Sequence, residues 1–134
     1  MNDFVVYHNP KRMEYPALKV NVLSIVTNKS AAGAKGSRVW LVTGGKPKEF
    51  WLRGIFTVDS VGPSSHPKFK TQVSGSAGEL FDPMLRLDHE TWFDQFKHDQ
   101  GNFAFGFQPI KDPAVVKGLI AAAARGSLGP RTVS

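Results

Sequence analysis

The chain has 134 residues, of which 41% are apolar and 21% charged, and it contains no cysteine. This is the composition of one folded domain, and it excludes a disordered polyelectrolyte, a disulfide framework, a zinc–cysteine site, an iron–sulfur cluster and thiol catalysis. The net charge is +6 and uneven: residues 1–73 carry 11 basic and 4 acidic side chains, residues 74–134 carry 6 and 7. A basic half beside a near-neutral one points to a face that meets a polyanion.

The first eight residues lack the basic-then-apolar order of a signal peptide, and no apolar run reaches the roughly 18 residues of a membrane helix. The expectation is a cytoplasmic protein with no membrane contact. Strand signals fill the first half. Residues 4–7 (Phe-Val-Val-Tyr) form a short β-rich run stopped by Asn9-Pro10, and residues 20–27 alternate loosely up to Asn28. Residues 31–36, rich in Ala and Gly, read as a flexible loop. Residues 38–43 and 50–58 read as a hairpin whose turn, residues 44–48, is set by two glycines and a proline. Gly54 in mid-strand predicts a bulge or a close backbone approach. Residues 61–67, with one glycine and two prolines, are too broken for regular structure. Residues 68–73 read as one more strand and residues 74–78 as a loop.

Two helices follow. Asp88 is a candidate N-cap for a helix over 89–99 that carries Trp92, Phe93 and Phe96 on one side and stops at Gly101. Asp112 and Pro113 open a second helix with the apolar stripe Val115, Val116, Leu119, Ile120, Ala123, ended by Gly126. Between them Phe103, Phe105 and Phe107 recur with period two, as on one face of a strand. The expected fold is therefore α+β: a small, curved, mostly antiparallel β-barrel of about six strands with flanking helices. It forms one domain over residues 1–126, followed by a loose tail over 127–134.

Nucleophile and nucleotide motifs are missing. There is no Gly-x-Ser-x-Gly, and residues 44–48 join two strands where a phosphate-binding loop would open a helix. The histidines (His8, His66, His89, His98) have no metal-ligand spacing, so neither a metal nor a cofactor is expected. The aromatics carry the sharper signal. Trp51 is read as sharing a strand face with Arg53, with Trp40 on the partner strand; a tryptophan beside an arginine can stack a base and hold a phosphate. The area that a strand tryptophan buries makes it more often a core residue than a ligand contact. Lys68 and Lys70 share a face if that segment is extended, and Ser64 and Ser65 supply small hydrogen-bonding groups in a constrained loop.

The order of parts resembles the PUA-like superfamily, which includes EVE, ASCH and YTH domains. The resemblance lies in a strand ending in Tyr7-His8-Asn9, a hairpin whose second strand contains Arg53-Gly54-Ile55-Phe56-Thr57-Val58, a Pro/Ser loop, a helix and a closing strand. Members are curved barrels with flanking helices; several bind RNA or DNA, and EVE and YTH domains hold a modified base in an aromatic pocket. This chain has Tyr7-His8-Asn9-Pro10 where EVE domains have a Trp-containing strand and a Ser/Pro motif. By position, the resemblance implies a pocket formed by Tyr7, Asn9, Trp40 and Trp51 with Ser64 and Ser65 on its rim.

The resulting expectation is a nucleic-acid-binding module. Trp51 or Trp40 would stack on a base, a modified base being the candidate ligand. Asn9 would read the polar edge of the base, and Arg53, Lys68 and Lys70 would hold phosphate. Two other classes stay open: a small metal-independent ribonuclease or hydrolase using His8 and His66, and a protein-interaction subunit whose basic face meets an acidic partner.

Overall fold

The computed structural model describes residues 2–8, 22–29, 31, 33–44, 49–103 and 107–128. Asn9, Lys46, Lys48, Phe105 and the tail beyond residue 128 lie outside them. In chain order the elements are β1 (Asp3–His8), β2 (Ser24–Thr27), β3 (Arg38–Gly44), β4 (Phe50–Thr57), β5 (Ser60–Pro63), β6 (Thr71–Ser74), β7 (Ala77–Arg86), α1 (Phe93–Asp99), β8 (Gln108–Pro109) and α2 (Pro113–Leu128).

The fold is α+β, with two sheets and two helices. Five strands form a mixed sheet in the order β7-β4-β3-β1-β8, and three form a small sheet in the order β2-β6-β5. In the large sheet only β1 and β3 run parallel; every other ladder is antiparallel. Among the described residues no ladder joins the two sheets into a closed barrel. They meet at a corner, where β4 runs on into β5 and β6 runs on into β7. There the Asp59 amide donates to the Ser74 carbonyl at 2.8 Å, and Ser76 hydrogen-bonds Asp59.

The strand period of two assigns neighbouring residues of β1 and β3 to opposite faces. Val5, Trp40 and Val42 face the helices and pack with Phe93, Phe96, Leu119 and Ala122. Val6, Val39 and Leu41 face the small sheet and pack with Ile25, Val73 and Phe56. The molecule is thus layered, helices over large sheet over small sheet, with a separate apolar core in each gap.

Strand β4 carries the bulge anticipated at Gly54. Leu41 pairs with Gly54 but Val42 pairs with Leu52, so Arg53 has no opposite number on β3. On the other side Leu52 pairs with Leu85 and Gly54 with Leu80, so residues 81–84 of β7 loop out against the same irregularity. The extra residue reverses the phase of the strand. Before it, Leu52 packs toward the helices; after it, Phe56 packs toward the small sheet. Backbone crowding fixes the residue type at position 54, because a Cβ there would lie 2.8 Å from Leu80 Cδ2 and 2.9 Å from the Glu79 carbonyl oxygen.

Several expectations need correction. Strand β7, ten residues long, occupies a stretch whose first residues read as a loop, and β5 (Ser60–Pro63) runs into the segment judged too broken for a strand. The helix expected over 89–99 begins at Phe93, and Asp88 does not cap it; its carboxylate is taken by Arg86 and by the Phe50 amide. Asp112 does cap α2, accepting the Ala114 amide at 2.9 Å. That helix passes Gly126, its expected stop, and ends at Leu128. Phe103 and Phe107 do not share a strand face: Gly101, Asn102 and Phe103 form a left-handed 3-10 turn with φ of 57°, 57° and 63°, which places Phe103 in the helix-side core and Phe107 in the other.

The segment read as a flexible loop is in part a pair of ordered turns. Ala34 donates to the Ala31 carbonyl and Ser37 to the Ala34 carbonyl, while Gly33 and Gly36 adopt φ of 82° and 86°. The methyls of Ala31 and Ala34 are buried in the small-sheet core.

Gly54→Ala should lower stability by about 1–3 kcal/mol, the usual cost of forcing an atom into a filled site. Urea unfolding followed by far-UV circular dichroism measures it; an unchanged midpoint would show that the bulge tolerates a side chain.

Candidate nucleic-acid interface

The small sheet carries the most coherent polar surface. Strands β2, β5 and β6 pair so that Ser24 lies opposite Ser74, and Ser74 opposite Ser60. Their shared face also presents Gln72, whose Nε2 donates to Ser24 Oγ at 2.9 Å, while Ser24 and Ser74 bond hydroxyl to hydroxyl at 3.0 Å. Ile25 and Val73 take the alternate positions and fill the core. Period-two alternation thus gives one apolar face turned to the core and one outer face of hydroxyl and amide groups around the half-buried Val26, which pairs with Gln72.

At the far end of this sheet the β5–β6 loop, residues 64–70, is held by Asn28. The side-chain amide of Asn28 donates to the Lys68 carbonyl at 3.0 Å and accepts the Lys70 amide at 2.9 Å. A group that both donates and accepts is needed for this, which an amide supplies and a carboxylate does not. The Ser64 amide donates to the Lys70 carbonyl, closing the loop at its base. Ser64 Oγ accepts the His66 amide at 2.9 Å, and His66 Nδ1 accepts the Lys68 amide at 3.1 Å. The His66 ring meets Phe69 edge-on at 5.0 Å. This network orders a loop that displays Ser65, Lys68 and Lys70 to solvent, with exposed Lys29 beside Asn28.

Charge is segregated with the architecture. Residues 15–48 and 60–78 contain no Asp or Glu, and all three strands of the small sheet fall in those two stretches. These acid-free runs are the signal in the sequence that finds this surface. Totals for each half of the chain dilute it, and Asn28 stands out only once its two loop partners are known.

The residues anticipated from sequence divide as follows. Ser64, Ser65, Lys68 and Lys70 come together in the β5–β6 loop. Trp40 and Trp51 do not meet: Trp40 pairs with Ile55 and Trp51 with Thr43, on opposite faces of the large sheet. Trp40 is 0% exposed, its Nε1 donates to Asp3 Oδ1 at 2.9 Å, and it offers no ring face to a ligand. Asp3 also accepts Arg38 Nε at 2.5 Å, so the buried indole and the guanidinium share one carboxylate. Tyr7 stacks on Phe103 at 5.5 Å and lies against Gly44; burial raises its phenol pKa above the usual value, and the Gly44 amide opposes the rise.

Arg53 does not stand beside Trp51 as an exposed phosphate ligand. It is 5% exposed at the bulge, its Nη1 donates to the Phe81 carbonyl at 2.7 Å, and burial lowers its pKa against the pull of Asp82. Trp51 is half-buried, with the Arg86 guanidinium carbon 5.1 Å from its ring centre. Arg86 is in turn held by Asp88 in two-point contact (2.5 and 3.0 Å) and by Glu49 at 3.3 Å. Two carboxylates around one guanidinium give this spot a net negative charge among the described residues, which opposes a phosphate. His8 is 6% exposed within β1, whereas His66 belongs to the small-sheet loop. An acid–base pair needs both rings open to one phosphate, and the buried His8 is not.

The Asp88 carboxyl is held down to a pKa of about 2, first by the Arg86 hydrogen bonds and further by the Phe50 amide, against some desolvation. A depressed carboxylate stabilises the fold above its unfolded pKa, and that contribution is lost as pH falls through the folded value. Asp88→Asn should therefore cost about 1 kcal/mol at pH 7, and the gap to wild type should close between pH 4 and pH 2. Urea midpoints at a series of pH values test this; a gap that persists at pH 2 would exclude the ion pair as its source. Neither protein-family models nor curated proteins provide a match to this chain, so its own residues carry the functional reading.

Proposed function

We propose that this chain is a nucleic-acid-binding module that holds the sugar–phosphate backbone with the small sheet and its β5–β6 loop. One observation carries the reading: the Asn28 amide fixes the backbone of Lys68 and Lys70 next to Lys29, at the end of a sheet whose three strands contain no carboxylate. Lysines supply most of the affinity for a phosphate chain by releasing its condensed counterions. Serine hydroxyls and a glutamine amide, as on the outer face of the sheet, are common phosphate and sugar partners that set register. The PUA-like resemblance is in keeping with this reading, since several members of that superfamily bind RNA or DNA.

The reading differs from an aromatic base pocket in what it requires. Backbone contacts carry no sequence information, so binding is sequence-tolerant and strongly salt-dependent.

Fluorescence anisotropy with labelled 20-residue single strands of RNA and DNA, and with duplexes, tests the proposal at two salt concentrations. Lys68→Glu with Lys70→Glu should weaken binding at least about tenfold and flatten the salt dependence by about one to two units of log K per log salt. Asn28→Ala, which keeps every lysine, should weaken it about three- to tenfold by releasing the loop. Equal affinity in all three proteins would remove the loop from the interface, and no binding by wild type to any of these strands would remove the function.

A further inference from the structure

A concave surface lies where the β1–β8 edge of the large sheet meets the first turns of α2. It encloses about 670 Å³, within the range of specific binding clefts. Phe4, Ile110 and Val116 line it with apolar side chains, and Lys111 and Lys117 are exposed around it. Asp3 also borders the groove, but its charge is matched by Arg38 and its other contact is the Trp40 indole N–H. Asp112, between Lys111 and Pro113, caps α2 by accepting the Ala114 amide, so the two exposed lysines leave the rim net positive.

The apolar floor continues along α2. Val116 is half-buried and Ile120 is 44% exposed, one of the few large apolar side chains so open among the described residues. The two are four residues apart on one helix and so lie on the same face, one turn from each other. Pro109, at the edge strand β8, has no N–H to offer, so a partner cannot extend the sheet there by a full ladder. Contact must come from side chains entering the groove and lying along α2.

We infer that this groove docks an acidic amphipathic helix of a partner protein, with apolar residues on Phe4, Ile110, Val116 and Ile120 and carboxylates opposite Lys111 and Lys117. Charge complementarity selects this occupant. A second copy of the chain would bring either its basic half or its helix side, where acidic and basic side chains are mixed, and both match lysines less well than an all-acidic face. Apolar anchors on helical spacing seated in a groove are an established mode of helix recognition. The inference is independent of the nucleic-acid reading, because it uses neither the small sheet nor its loop.

The probe is a fluorescein-labelled 16-residue helical peptide with leucines at helical three- and four-residue spacing and glutamates elsewhere. A second peptide carries lysines in place of the glutamates. Wild type should bind the acidic peptide saturably and the basic one at least about tenfold more weakly. Lys111→Glu with Lys117→Glu, and separately Ile120→Asp at the exposed position, should each weaken the acidic peptide about tenfold or more. Lys68→Glu with Lys70→Glu should leave it unchanged, which separates docking from general attraction to a basic protein. Circular dichroism of each variant confirms folding, and amide NMR shifts on adding the peptide should centre on Val116 and Ile120. The inference is overturned by equal binding in all variants, by shifts centred on the β5–β6 loop, by no binding, or by a 20-residue RNA whose affinity falls with Lys111→Glu/Lys117→Glu.

Discussion

Arg53 occupies a place in β4 that no residue of β3 matches. Everything on either side of the central sheet depends on that one unmatched residue. A strand with unbroken alternation would send Leu52 and Phe56 to the same face. With the extra residue, Leu52 closes the helix-side core with Trp40 and Phe93, and Phe56 closes the other with Val39 and Val73. The guanidinium placed at the bulge is buried and bonds the carbonyl of Phe81, where β7 itself loops out. The irregularities of the two strands are thus tied together by a charged hydrogen bond within the protein.

The two layers flanking the central sheet divide the electrostatic roles. The helix side contains Glu90, Asp94, Asp99 and Asp112 and is held to itself partly by ion pairs, as between Arg125 and Glu90. The small-sheet side has lysines without carboxylates in its own stretches of chain. Fields of one sign collected on one face steer a polyanion toward that face, whereas on the other the mixed charges cancel at distances beyond a Debye length of about 10 Å and leave only short-range contacts such as those of Lys111 and Lys117.

Much of the fold was legible in the residues themselves. The β3–β4 hairpin, the irregularity at Gly54, the cap at Asp112 and the apolar side formed by Phe93 and Phe96 all rest on local rules, and tertiary context kept them. The misses have physical causes. Strand β7 is interrupted by Asp82-Pro83, which breaks its alternation at the point where it loops out. The row Phe103, Phe105, Phe107 has the period of a strand, but positive φ at Asn102 and Phe103 turns the chain within it. Asp88 has the residue type of a helix cap, yet a neighbouring arginine two positions earlier competes for it and wins with two hydrogen bonds. In the candidate site the loop lysines and serines were legible because proline and charge mark them. Trp40 was not, since a one-residue register decides whether an indole faces core or solvent.

The three tryptophans have a practical meaning for how this molecule reports on itself. Trp40 is sealed in the core on a carboxylate, Trp51 lies against a guanidinium, and Trp92 rests over Gly118 beside Phe93 and Phe96. None belongs to the small sheet or its loop. Ultraviolet emission from this chain is therefore a gauge of the central sheet and its helices: it shifts to the red when they come apart and stays nearly constant when a ligand arrives at the lysines. A dye placed at the exposed Ser65 would see the complementary events, so the two signals together distinguish occupancy from unfolding within a single cuvette.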